Sequence, residues 1–297
     1  MAALLTAEQS KPEYSITLDW LAFTFKEDTH EAANWISRYA SSRAAMAIAP
    51  TNGYRQAYRT ENGIVVQWNP DREEMGYHTV IAGSAIRHVL EYHGMDQKTL
   101  IQTVLDAGGS ITRLDIAKDV QGVNISLDEI YKALERREYQ GSARTFSQIH
   151  SLNGGNTIYV GSRQSEKFIR IYDKAAQSGL VGEKWHRFEL ETKGMVARAL
   201  ATLLTQDDRW SSAFGTIVQH MVTVPTLRDW QAFFQPGEVQ IGIPKLEKKS
   251  DREKWIESQV IPAVAKHAVE FPNSEAVKRL VALLELIKRQ GNEPQVD

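Results

Sequence analysis

A chain of 297 residues is long enough to bury one large core or two modest ones, and 42% hydrophobic with 24% charged residues is an ordinary soluble, globular composition. The absence of cysteine excludes disulfides and thiolate metal sites, so any metal must be held by carboxylate, imidazole or carbonyl donors, a set that suits Mg²⁺ or Mn²⁺. A net charge of −2 gives no global basic field, so contact with nucleic acid would have to rest on a local basic groove.

No apolar run reaches the roughly 18 residues of a membrane span. Residues 1–12 have no basic segment ahead of Leu4 and Leu5, so they read as a disordered lead-in rather than a signal peptide, and the expected compartment is the cytoplasm. Residues 14–25 are rich in aromatic and β-branched side chains and predict a first strand. Ala33, Ile36, Tyr39 and Ala40 form an apolar stripe that predicts a helix over 31–47. Residues 54–60 and 63–68 predict a hairpin around Asn62-Gly63. A strand over 77–82 precedes two helices, 84–93 ended by Gly94 and 96–107 ended by Gly108-Gly109.

Residues 111–120 alternate with period two: Arg113, Asp115 and Ala117 share one face, Leu114 and Ile116 the other. Ser126 and Glu129 form a capping box for a helix to about residue 138. Strands follow over 156–160, 168–174 and 185–191. The second places Arg170, Tyr172 and Lys174 on one face. The third places His186, Phe188 and Leu190 on one face and Arg187, Glu189 and Glu191 on the other. Beyond Thr192 the pattern turns helical, over 195–204, 208–221, 227–234, 252–271 and 274–290. A Pro/Gly/charge-rich connector spans 236–249; Ser250 with Glu253 and Asn273 are candidate caps. The expected fold class is α+β: an antiparallel sheet domain of nuclease type with flanking helices over 13–205, then an all-α region over 206–297.

Three predicted strands thus carry polar groups on one parity. If they neighbour one another, acids face a tyrosine framed by bases. That layout suits transfer at a phosphodiester: carboxylates hold a divalent cation, and a tyrosine oxygen attacks phosphorus to form a covalent ester. A phenol with a pKa of about 10 needs help. Arg170, Lys174 and Arg187 either supply it or clamp the phosphate. The competing reading is a solvated face of weak ion pairs with a packing tyrosine. Asp19 and Trp20 read as turn and core residues, and His186 as a core histidine. Arg136, Arg137, Arg144, Arg163 and Lys167 are either DNA-backbone contacts or plain surface charge.

Thr112-Arg-Leu-Asp-Ile-Ala-Lys-Asp119, Thr157-Ile-Tyr-Val-Gly-Ser-Arg163, Arg170-Ile-Tyr-Asp-Lys174 and Arg187-Phe-Glu-Leu-Glu191 together resemble the replication initiation factor (Rep_trans) family of rolling-circle initiators and relaxases. The opening Leu18-Asp-Trp-Leu-Ala-Phe-Thr24 resembles that family's start, and the resemblance extends over about 14–205. It implies a strand-specific nick at an origin, double-stranded or hairpin and single-stranded at the nick. Tyr172 would take the 5′ phosphate and leave a 3′ hydroxyl to prime a polymerase, with Mg²⁺ or Mn²⁺ and no ATP. Asp115, Glu189 and, as a third, Glu191 would hold the metal. The resemblance also implies a homodimer that works with a host helicase and polymerase, with origin recognition or self-association in the C-terminal helices. The rival readings are a conjugative relaxase of the same chemistry, a non-enzymatic DNA-binding protein, and a structural or host-interaction protein.

Overall fold

The computed structural model describes residues 13–291 apart from 27–28, 124, 152–154, 181, 207–208, 228–229 and 235–255. The expected lead-in, the 236–249 connector and the Ser250/Glu253 box lie outside the described residues. The described part falls into two compact units divided between Ile243 and Pro244.

The first unit is built on a ten-stranded antiparallel sheet. Its strands are β1 (Glu13–Phe25), β2 (Met46–Ala47), β3 (Gln56–Arg59), β4 (Val65–Trp68), β5 (Tyr77–Ala82), β6 (Ser110–Gln121), β7 (Phe146–His150), β8 (Asn156–Val160), β9 (Lys167–Asp173) and β10 (Trp185–Lys193). Their order is β2-β3-β4-β5-β1-β6-β10-β9-β8-β7. The three polar-faced strands of the sequence are therefore neighbours. Glu191 lies opposite Asp115, Arg187 opposite Asp119 on one side and Tyr172 on the other, and Glu189 opposite Arg170. Antiparallel pairing keeps facing residues on one side of the sheet, so the three polar faces coincide.

The other side is the core. Leu114, Ile116, Ile169, Ile171, Phe188 and Leu190 are buried there, together with Ala197, Leu200 and Leu204 of α6 (Gly194–Gln206). Helices α1 (His30–Tyr39), α2 (Ser84–His93) and α3 (Gln97–Asp106) add Trp35, Val89 and Ile101 to the same cluster. Caps sit where the sequence signals them: Asp96 Oδ1 accepts from Thr99 N at 2.7 Å, Ser126 Oγ from Glu129 N at 3.2 Å, and Gly94 closes α2 in the left-handed region at φ 60°.

Several expectations need correction. The first helix stops at Tyr39, eight residues early, because its capping Ala40 leaves helical geometry and Met46–Ala47 pairs with β3 as an edge strand. Helix α4 (Leu127–Glu135) ends before residue 138, where Arg137 takes a positive φ of 59°. Lys174 is not on β9: Asp173 Oδ1 accepts from Ala176 N at 2.9 Å and opens a one-turn helix, α5 (Lys174–Gln177). Strand β7, half-exposed at the sheet edge, carries too little apolar alternation to be predicted. Helices α7 (Trp210–Met221) and α8 (Trp230–Phe233) are shorter than expected, and they belong to the sheet's core. Phe234 stands 4.8 Å from Phe188, ring centroid to centroid, so the first compact unit runs past the expected division at 205/206.

The second unit holds a π-helical turn (Ile256–Val260), α9 (Ile261–Glu270) and α10 (Glu275–Gly291). The cap of α10 is Ser274, whose Oγ accepts from Val277 N at 3.3 Å, one residue after the expected Asn273. No described helix is long and apolar enough to cross a membrane.

His186 lies on the core side of β10 at 7% exposure, and burial lowers its imidazole pKa. The unfolded chain takes up that proton near pH 6.5 and the folded chain resists it, so stability is lost as pH falls through that range. His186→Leu should therefore show a shallower fall in thermal midpoint between pH 7.5 and 5.5 than the parent. Parallel pH slopes in thermal scans would reject this assignment.

Candidate active site

Alternation along β6 brings Arg113, Asp115, Ala117 and Asp119 to one face; β10 adds Arg187, Glu189, Glu191 and Lys193, and β9 adds Arg170 and Tyr172. The carboxylates are nearly removed from water: Asp115 is 0% exposed, Asp119 5%, Glu189 6% and Glu191 7%. A buried ion requires a partner, and each has one.

Arg113 binds Asp115 through two of its three guanidinium nitrogens, Nε to Oδ1 at 2.9 Å and Nη2 to Oδ2 at 2.5 Å, and the same Nη2 lies 2.8 Å from Glu191 Oε2. Arg170 Nη2 is 3.2 Å from Asp115 Oδ2 and 3.6 Å from Glu191 Oε2. Arg170 Nε is 2.9 Å from Glu189 Oε2 but has no hydrogen-bonding geometry, so this contact is an ion pair alone. Lys193 Nζ closes the group 2.7 Å from Glu191 Oε1. Alongside, Arg187 grips Asp119 with Nε and Nη2, both at 2.7 Å, and Trp185 Nε1 donates to Asp119 at 2.9 Å. Arg187 Nη1 reaches Asp19 at 3.4 Å.

Tyr172 donates to Glu189 Oε1 at 2.5 Å. Burial raises the phenol pKa well above its ordinary value, and the charge and hydrogen bond of Glu189 raise it further; Arg187 pulls the other way. Burial also pushes Asp115 up to about 6, against the hydrogen bond and charge of Arg113. For Arg187 burial opposes the charge, but Asp119 outweighs it and its pKa rises.

These groups floor a cleft of about 940 Å³. One wall is Asp19, Trp20 and the β5–α2 corner Ala82-Gly83-Ser84. The other is Gly155, Thr157 and Tyr159 of β8 and its approach, with Ala176 and Gln177 of α5. Tyr172, Arg170, Arg113 and Glu189 line it directly.

The structure thus splits the expected site. Asp115 and Glu191 converge on one point, filled by Arg113 Nη2. Glu189 pairs with Arg170, whose Nη2 also reaches Asp115 and Glu191, and it accepts from Tyr172. Lys174, although off the strand, stays beside the site: its Nζ bonds Gln177 Oε1 at 2.7 Å and lies over the Tyr172 ring, 6.0 Å from its centre. Arg187 is committed to Asp119. Among the described residues, no three carboxylate or imidazole groups converge as a metal-holding set. Asp119 and Lys193 continue the 113/115/117 and 187/189/191 alternations by one step, a signal present in the sequence. Trp20 joins this face through a β-bulge between Leu18 and Trp20, which no sequence pattern announces.

An open antiparallel sheet carrying a phenol, carboxylates and guanidiniums on one face and a helix-covered core on the other defines the α+β class of this protein. The chain belongs to the replication initiation factor family, whose model matches residues 109–278. That match leaves out β1–β5 and α1–α3 and extends beyond residue 205. A relative described as the putative DNA relaxase NicK of Bacillus subtilis (strain 168) is 28% identical over 173 residues, 52% of this chain and 49% of the relative. The chain therefore spans about half the length of that relative. The structure of the rolling circle replication initiator protein from Geobacillus stearothermophilus shares the fold, with a TM-score of 0.61 at 19% identity, covering 77% of this chain and 94% of that one.

Asp119 has a structural task that can be measured. Asp119→Ala would leave Arg187 buried without its bidentate partner and should cost about 3–5 kcal/mol of stability. Denaturant titration checks this, and a loss below about 1 kcal/mol would mean that Arg187 finds solvent instead.

Proposed function

We propose that this chain nicks one DNA strand at an origin and holds the cut end as a tyrosine ester, initiating rolling-circle replication. The observation that carries the reading is the hydrogen bond from Tyr172 to Glu189 within an arginine-floored cleft. A phenol with a raised pKa is not ionised at neutral pH, so attack requires a base in contact, and Glu189 is in contact. In this reading the Tyr172 oxygen forms a bond to phosphorus as its proton passes to Glu189. The bond from phosphorus to the 3′ oxygen breaks, and that oxygen takes a proton from solvent. The 5′ phosphate stays on Tyr172. Arg170, already beside Glu189, is placed to stabilise the charge growing on the phosphate oxygens. Arg187 holds a positive charge beside the phenol without leaving Asp119.

Asp115 and Glu191, two carboxylates that share the Arg113 Nη2 cation, suit a hard divalent ion such as Mg²⁺ or Mn²⁺ in chemistry. Asp115 and Glu191 would hold it, and such an ion would supply positive charge near the scissile phosphate. Arg113, which now pairs with both carboxylates, would have to withdraw from them and would then be available to the DNA backbone. The relative described as a DNA relaxase favours a second reading with the same chemistry, in which the nick serves strand transfer rather than replication. Origin DNA, a second copy of the chain, and a host helicase and polymerase are the partners this reading expects, with residues 206–297 contributing recognition or self-association.

A labelled single-stranded origin or hairpin oligonucleotide with Mn²⁺ tests the reading on denaturing gels. Tyr172→Phe should form no covalent adduct, and Glu189→Gln should form it about 10²–10⁴-fold more slowly. Adduct at the parental rate in Tyr172→Phe ends the nucleophile assignment. A protein that only binds DNA would form no adduct in any variant.

Calorimetric titration tests the cation locus separately. Arg113→Ala should bind Mn²⁺ about 10- to 100-fold more tightly than the parent, the worth of one charge-assisted hydrogen bond no longer competing. Weaker binding would place the ion elsewhere.

A further inference from the structure

The motif Thr157-Ile-Tyr-Val-Gly-Ser-Arg163 has no part in the chemistry above, yet it forms one rim of the cleft. Tyr159 lies opposite Arg170, and Thr157 opposite Tyr172, in the pairing of β8 with β9. Tyr159 therefore sits on the reactive face, one strand over and one pleat repeat along from the nucleophile, roughly 7 Å along the strand. That offset is comparable with the length of one extended nucleotide.

Tyr159 is half-buried and lines the cleft. Its ring stacks on Phe168, with centroids 5.6 Å apart and planes 22° from parallel, and Phe168 is 3% exposed. The platform is thus backed by the folded sheet and does not need ordering. Arg163 places its guanidinium 5.1 Å from the Tyr159 ring centre and 5.6 Å from that of Phe168. Among the described residues no carboxylate forms an ion pair with Arg163, in contrast to Arg113, Arg170 and Arg187. Its backbone is held: Lys193 Nζ donates to the Arg163 carbonyl at 2.7 Å while also pairing with Glu191. On the opposite wall the Trp20 ring also carries a guanidinium, that of Arg113 at 4.3 Å, but Arg113 is tied to Asp115 and Glu191 by ion pairs.

We propose that Tyr159 and Arg163 form a nucleobase subsite that holds the unpaired base beside the scissile phosphate: the base stacks on the tyrosine ring after the guanidinium, now 5.1 Å from that ring's centre, swings aside to cap it. This deepens the reading of the cleft as a single-strand nicking site and rests on it. Stacking is sequence-tolerant and strong enough to matter, because every base has a π-face and the water-exposed alternative is weak. The subsite positions the strand so that the phosphate next to the held base falls over Tyr172.

The test uses the full chain carrying Tyr172→Phe, so that no strand is cut, and a fluorescein-labelled oligothymidylate of about 15 nucleotides as probe. Tyr159→Ala should weaken binding about 5- to 100-fold. Tyr159→Leu should weaken it similarly, because leucine keeps the apolar contact with Phe168 but has no π-face. Tyr159→Trp should stay within about threefold of the parent. The same probe made abasic throughout should bind the parent more weakly, and the Tyr159→Leu change should then have no further effect. Additive losses from the abasic probe and from Tyr159→Leu, or parental affinity in Tyr159→Leu, would overturn the subsite while leaving the nicking reading intact. A parent that binds no oligothymidylate at low salt would overturn both.

Discussion

The sheet's free face depends on one constraint: carboxylates this far from water must be neutralised where they stand. Desolvating an ion costs several kcal/mol, and only close, well-oriented partners recover it. Asp115, Asp119, Glu189 and Glu191 meet that requirement through Arg113, Arg170, Arg187 and Lys193, each drawn from the same run of adjacent strands. Helices cover the opposite face with Leu114, Ile116, Phe188 and Leu190 at zero exposure. The strands that build the core therefore also set the charged groups, with the pleat assigning each residue to one task or the other.

Such a lattice is not a cheap way to stabilise a sheet. Buried ion pairs can often be exchanged for apolar residues of similar volume at no loss of stability. A protein that only bound DNA would need basic groups on the surface and no carboxylates beneath them. Here carboxylates and guanidiniums alternate, and a tyrosine is hydrogen-bonded into the set. Glu189 answers to both Arg170 and Tyr172, which couples the state of the phenol to the cation beside it.

Much of this was legible in the sequence, and for a physical reason. Period-two alternation over β6 and β10 is unambiguous, so the faces of Asp115, Arg187, Glu189 and Glu191 followed from residue order. The order of strands did not: adjacency of β6, β10 and β9 is a property of topology, and the family resemblance had to stand in for it. Lys174 was misplaced because alternation cannot see Asp173 capping a helix one residue earlier. Trp20 was misread because a bulge at Asp19 restarts the alternation. The pairing of Asp115 and Glu191 through Arg113, and of Glu189 with Arg170 and Tyr172, was invisible, since it depends on which oxygens each guanidinium reaches. The aromatic stack of Tyr159 on Phe168 joins two strands across a turn and has no sequence signature of its own.

The strand order has a consequence for how the molecule comes into being. Strand β10 is the last to be synthesised, yet it lies between β6 and β9. Until it docks, the wing formed by the first half of the chain and the wing formed by β7, β8 and β9 have no shared edge. Asp115 and Tyr172 then belong to separate pieces of sheet, and Glu189 is on neither. Contacts this distant in sequence form late, because loop closure comes before any reward. A ribosome-bound chain shorter than β10 carries Tyr172 without Glu189, so the charged face is assembled in one step, with the closing of the sheet.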